Sequence, residues 1–272
     1  LTSITGSLIF WGNYSLNDIS GLVNVTNIGT NLEIYVYSFS EALNIIGLSN
    51  VNDIGGSISL NGNITGLSAF NNLTTINGTL GINNNNSLSI IDGFNAVTSV
   101  EGSLDIYNNA ILTSISGFNN LSSVGSLYLN GNVFLTTVSG FDHPMTIGNL
   151  SINGNSFLSN CSVEAICNKL WGNNNYANIS NNGPNCAYVP IILQSCGSAP
   201  DGDGDGVNDL IDNCPNISNP LQTDCNNNQI GDVCESGDID NDGVFNASDN
   251  CPCENNPNQA DANNNGIGDK CD

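Results

Sequence analysis

Phe94–Gly117 reads FNAVTSVEGSLDIYNNAILTSISG, and most of the first 160 residues return to this pattern. Leu104 and Ile106 alternate with Ser103, Asp105 and Tyr107, the period of a short strand with one buried face. Asn109 follows three residues after Ile106, and Leu112, Ile115, Phe118, Leu121 and Val124 then recur every third residue. The strand pair comes back as Leu8/Phe10, Leu32/Ile34, Ile58/Leu60, Leu80/Ile82, Leu104/Ile106, Leu127/Leu129 and Leu150/Ile152. The spacings are 24, 26, 22, 24, 23 and 23 residues. A period of about 20 to 50 residues marks a solenoid or an array.

Each repeat predicts one strand, and successive strands should pair in parallel through right-handed connections. Further buried columns are Leu88/Leu112/Leu135/Leu158 and Phe70/Phe94/Phe118/Phe141. Asn13, Asn63, Asn85, Asn109, Asn132 and Asn155 fall where strands end, where a stacked amide can satisfy backbone groups at each corner. Tyr37 interrupts that column and predicts a local bulge. The outward columns carry Trp11, Tyr35, Tyr107 and Tyr128 among small polar residues. Aromatic faces beside amides and hydroxyls suit a glycan or a protein, and the same composition is ordinary on a solvated sheet.

The stretch LDIYNNAILTSISGFNNLSSVG, Leu104–Gly125, resembles leucine-rich repeats, and more closely the receptor L-domain-like repeats of bacterial surface proteins. The resemblance implies a mainly β fold, a parallel β-solenoid of seven turns over residues 1–160. Such a scaffold displays a surface without dictating what binds it.

The whole chain has 272 residues, 39% of them hydrophobic, enough for a core. Two lysines, Lys169 and Lys270, stand against 25 acidic residues, for a net charge of -23. Nothing here could neutralise phosphates, which argues against nucleic acid and against anionic membrane surfaces; cations are the expected partners. No apolar run is long enough to span a bilayer. The chain opens in mid-pattern at Leu1 without a methionine, as expected of a processed or trimmed piece.

All ten cysteines lie after residue 160, the distribution of a secreted, oxidised protein stapled at its core-poor end. A lone histidine and the lack of paired CxxC motifs speak against zinc. In 161–198, CSVEAICNKLW from Cys161 to Trp171 is the one segment read as a helix, with Val163, Ile166, Cys167 and Leu170 on one face. It resembles the cysteine-bearing cap that closes such solenoids. Cys161, Cys167, Cys186 and Cys196 should form two disulfides, with three pairings open.

Residues 199–272 hold 16 of the 25 acidic residues, and their spacing is that of calcium loops. Asp201, Asp203, Asp205, the Val207 carbonyl and Asp212 stand at positions 1, 3, 5, 7 and 12, with Gly206 at the sharp turn. The second loop supplies Asp224, Asn226, Asn228, the Ile230 carbonyl and Glu235, with Gln229 in place of glycine. The third supplies Asp238, Asp240, Asp242, the Val244 carbonyl and Asp249. The fourth supplies Asp261, Asn263, Asn265, the Ile267 carbonyl and Asp272. Asn for Asp lowers ligand charge and should weaken binding, and extracellular calcium modules work at roughly 10⁻⁴ to 10⁻³ M. With so few apolar residues, ion binding should supply folding energy.

The segments DGDGDGVNDLIDNCPNISNPLQTDCNNNQIGDVC and DIDNDGVFNASDNCPCENNPNQADANNNGIGDKC resemble thrombospondin type 3 repeats. The resemblance implies an irregular, calcium-bound rod with Cys214 paired to Cys234 and Cys251 to Cys271. Cys225 and Cys253 are extra to that pattern; an even count and one per repeat suggest a bridge between them.

No nucleophile, base or open metal site of an enzyme is readable, and His143 in FDHPM reads as a loop residue. The expectation is therefore a non-enzymatic, extracellular calcium-binding structural or adhesion protein. Its first turn has no readable cap, so self-association head to tail into a filament is expected. The alternative is a monomeric module binding glycan or protein on its sheet.

Overall fold

The computed structural model describes residues 1–36, 42–172, 177–197, 201–207, 209 and 211–272. Tyr37 lies outside them. The chain divides into two compact units, Leu1–Gly197 and Ser198–Asp272.

The first unit is mainly β, built on a parallel sheet of nine strands. Eight run side by side in chain order: β1 Leu8–Trp11, β2 Leu32–Val36, β3 Ile58–Gly62, β4 Leu80–Asn83, β5 Ser99–Tyr107, β6 Ser123–Asn130, β7 Thr146–Asn153 and β8 Ala177–Ser180. The ninth, Thr75–Ile76, pairs with the start of β5. Leu8, Leu32, Ile58, Leu80, Leu104, Leu127, Leu150 and Ala177 lie in one row across the sheet. A strand alternates its faces with period two, so this register stacks like on like. From β2 to β7 the inner Leu/Ile pairs are fully buried; Leu8 and Phe10 in β1 are half-buried.

Behind the sheet, Phe70, Phe94, Phe118 and Phe141 stack with ring centroids 5.0, 5.3 and 5.9 Å apart. Glycine precedes three of them because the chains behind the sheet touch. A Cβ on Gly117 would sit 2.1 Å from the Gly93 carbonyl oxygen.

The strand corners explain the asparagines. The residue after the strand is Asn84, Asn108, Gly131, Gly154 or Asn181, each at a positive φ that these two residue types tolerate. The next residue forms a buried amide ladder. Asn109 donates its backbone N–H and its Nδ2 to Asn132 Oδ1, both at 3.0 Å. Asn132 donates its backbone N–H to Asn155 Oδ1, and Asn155 donates both its N–H and its Nδ2 to Asn182 Oδ1. The Nδ2 of Asn109, Asn132 and Asn155 also donates to the Ile82, Ile106 and Leu129 carbonyls. Every rung thus pays for a bent backbone with hydrogen bonds that water would otherwise supply.

Three sequence readings need correction. The ladder runs from Asn85 to Asn182, whereas Asn13 is exposed and donates to its own Trp11 carbonyl. The sheet does not stop at Ile152: β8 continues it, with Ile179 and Asn182 repeating the Ile-x-x-Asn relation of Ile106 and Asn109. An inserted helix, α1 (Glu164–Gly172), stretched the spacing and hid that repeat. Nor is α1 alone. A second helix, α2 (Val189–Cys196), starts on Pro190 in its first turn and buries Ile192. Its run VPIILQSC is only eight residues, too short for its period to separate helix from strand.

Asn132→Ala should strand the Asn109 donors and the Ile106 carbonyl. At ~1–3 kcal/mol for each buried group left unsatisfied, the first unit should lose about 3 kcal/mol or more, read as a lowered urea midpoint.

Candidate metal loops and sheet face

The four acidic loops of the second unit share one backbone. Position 1 accepts two N–H groups from the loop it opens. Asp201 takes those of Gly204 and Gly206, Asp224 those of Asn228 and Gln229, Asp238 those of Asp242 and Gly243, and Asp261 those of Asn265 and Gly266. Position 5 accepts the N–H of position 7 in every loop, at 2.7–2.8 Å. Residues Val207, Ile230, Val244 and Ile267 are thereby set at the seventh place. Position 9, unremarked in the sequence, also has a fixed task. Asp209, Asp232, Asn246 and Asp269 each accept the N–H of position 2, closing the loop on itself.

In the first and third loops the carboxylates converge. Ligand oxygens of Asp201, Asp203 and Asp205 lie within 4.8 Å of one another, as do those of Asp238, Asp240 and Asp242. Asp212 and Asp249 lie near enough for their charges to act on Asp203 and Asp240, and each is oriented by a device repeated in both repeats. In each, one oxygen accepts a backbone N–H and the Nε2 of a glutamine, Gln222 or Gln259, at 2.7–2.8 Å. The other oxygen, Oδ2, is buried without a hydrogen bond, and so is Oδ2 of Asp203 and of Asp240. Loss of hydration, then the neighbouring negative charges, raise the Asp203 and Asp240 carboxyls above the ordinary value; backbone donors, Gly243 foremost, lower Asp238.

A buried carboxylate oxygen without a donor is costly, and four in two clusters need a positive charge. The residues fit a hard divalent cation with oxygen ligands. Asp201, Asp203, Asp205 and Asp212 would hold it in the first loop, and Asp238, Asp240, Asp242 and Asp249 in the third. The ion would supply charge neutralisation and a bond to each bare oxygen.

Residues 195–222 and 223–259 match the family model of the thrombospondin type 3 repeat. The match includes the first three loops, and the fourth, beyond it, has the same hydrogen bonds. This repeat is a calcium-binding type found in extracellular structural proteins. No leucine-rich-repeat family model matches the first unit. No curated protein matches the chain.

Disulfides join Cys161–Cys186, Cys167–Cys196, Cys214–Cys234, Cys225–Cys253 and Cys251–Cys271, and no cysteine is free. With the repeat, they point to an extracellular or secreted protein. Cys225, Asp232 and Cys253 also cluster, but the sulfurs are bonded to each other and are not metal ligands. Among the described residues no helix is long and apolar enough to cross a membrane.

The glutamines were legible as a recurrence, Asn-Pro-x-Gln-x-Asp at 219–224 and again at 256–261, although their role was not. Position 4 is a second such signal. Gly204, Asn227, Asn241 and Asn264 all take positive φ there.

On the first unit, the outward aromatics form two pairs. Trp11 and Tyr35 are tilted at 6.3 Å, and Tyr107 and Tyr128 stack at 6.5 Å. Asn61 and Asn83 separate the pairs in register. Asp105 lies beside Tyr128 and opposite Gly81. Its Oδ1 is buried with no partner, and burial raises its carboxyl above the ordinary value. Burial, followed by the Asp105 charge, raises the Tyr107 hydroxyl.

Two predictions follow from these geometries. Gly206, Gly243 and Gly266 hold φ of 94°, 94° and 86° at position 6, where Gln229 is held at 73°. Gln229→Gly should stabilise the second unit by about 1 kcal/mol, seen as a higher melting temperature. The native fold keeps the Asp105 proton to higher pH than the unfolded chain does. Stability therefore falls as pH rises from the ordinary value of 3.8 through the raised one. Asp105→Asn removes that slope: melting temperature should rise at about pH 7 and show no gain below about pH 3.

Proposed function

We propose that the chain is a non-enzymatic extracellular structural or adhesion protein. In this reading the first unit is a leucine-rich-repeat-like solenoid that makes the contacts, and calcium orders the second unit. The observation that carries it is the set of bare, buried carboxylate oxygens on Asp203, Asp212, Asp240 and Asp249, inside a segment of thrombospondin type 3 type. Three converging acids with a fourth beside them repel unless a cation offsets them, and a unit with little apolar core draws its order from that ion.

The contact face is the outward side of the sheet, with a glycan or a protein, another copy of this chain included, as the partner. Asp105 supports this placement. A carboxylate kept half-buried beside two stacked tyrosines, at a cost to the fold, is better suited to meeting a donor group than to stabilising the sheet. A structural part for His143 agrees with a chain that catalyses nothing: its Nε2 lies 2.8 Å from the Leu121 carbonyl oxygen and ties its loop to the preceding repeat.

Limited proteolysis with mass mapping tests the calcium role. Excess chelator should open cleavage sites within 201–272 and leave the melting transition of 1–197 in place. Equal cleavage with calcium and with chelator would falsify the role given to the ion.

A further inference from the structure

The four loops have one backbone and two kinds of centre. In the first and third, positions 3 and 12 each spend one carboxylate oxygen on a fixed donor and leave the other bare. In the second and fourth, positions 3 and 5 are asparagine, and each amide is held at both ends.

Asn226 Oδ1 accepts the Asn228 N–H at 3.0 Å while its Nδ2 donates to Glu235 Oε2 at 3.0 Å. Asn228 Oδ1 accepts the Ile230 N–H at 2.8 Å while its Nδ2 donates to Glu235 Oε1, also at 2.8 Å. The fourth loop repeats the arrangement. Asn263 and Asn265 accept the N–H groups of Asn265 and Ile267, and both Nδ2 groups donate to Asp272 Oδ2.

An amide has one oxygen against a carboxylate's two, and here one of its two lone pairs already accepts a backbone N–H. Turning either amide over would set Nδ2 against a backbone N–H and Oδ1 against a carboxylate. What each amide presents to the loop centre is a donor, and Glu235 and Asp272 are already satisfied by donors. A cation entering there would have to displace the Nδ2 donors from Glu235 or Asp272, with two carboxylates at positions 1, 3, 5 and 12 to attract it where the other loops offer four.

We propose that the chain holds two calcium ions, one in Asp201–Asp212 and one in Asp238–Asp249, and that the second and fourth loops close without metal as amide–carboxylate struts. The proposal rests on the calcium-binding reading of the second unit and specifies which loops carry it. Each 37-residue repeat then has one ion-held loop followed by one self-closed loop.

The test is calcium stoichiometry on the full, disulfide-bonded chain, by equilibrium dialysis with calcium alone and by titration calorimetry. Two ions per chain are expected, with no further uptake at roughly tenfold the half-saturating concentration. Asp249→Asn should lower the count to one. Asn226→Asp combined with Asn228→Asp should raise it to three, a gain that a misfolded chain does not give. Four ions of like affinity would overturn the assignment of loops and leave the calcium reading standing. No bound ion would overturn both. A count unchanged by the paired aspartates would also overturn it, because the amides would then not be what excludes the ion.

Discussion

A polar atom removed from water must meet a partner of opposite sign. Both units of this chain are arranged around that requirement, in opposite ways. In the first, the buried amides of Asn109, Asn132 and Asn155 give and receive within the protein, and the strand corners close without help. In the second, Asp212 and Asp249 are oriented so that one oxygen has partners and the other has none. The first solution yields a core that stands alone. The second leaves carboxylate oxygens that nothing in the chain itself meets.

Packing follows the same division. The first unit buries column on column of Leu, Ile and Phe, and its parallel register puts each side chain on its counterpart one repeat away. The second unit has few buried apolar side chains, and its disulfides substitute for a core. Cys225–Cys253 matters most for continuity, because it ties one 37-residue repeat to the next, whereas Cys214–Cys234 and Cys251–Cys271 each close within one repeat.

Much of this was legible in the residues, for a physical reason: a repeated structure writes its contacts at one spacing. Leu104 and Ile106 predicted their own burial and that of their counterparts from β2 to β7. Legibility failed where spacing failed. The helix between β7 and β8 pushed Ile179 and Asn182 out of phase, and α2, at eight residues, is too short to betray its period. In the loops, the acids at odd positions were plain, because ligand geometry dictates them. Position 9 and the two glutamines were not, since they act on the backbone and on other side chains. The difference between an aspartate and an asparagine loop was visible as charge, but its consequence needed the direction of each amide.

The amide ladder has a direction: every rung gives to the next one along the chain, and Asn85 at its start has an oxygen that receives nothing. Because each rung asks the same of its neighbour, the ladder has no preferred length. Excising or duplicating a complete repeat, from one Asn to the next, reconnects identical partners and leaves no atom stranded, while a single substitution inside a repeat strands several. Such a gene can therefore change by whole copies more readily than by letters, and the extent of the sheet becomes a quantity that recombination can adjust.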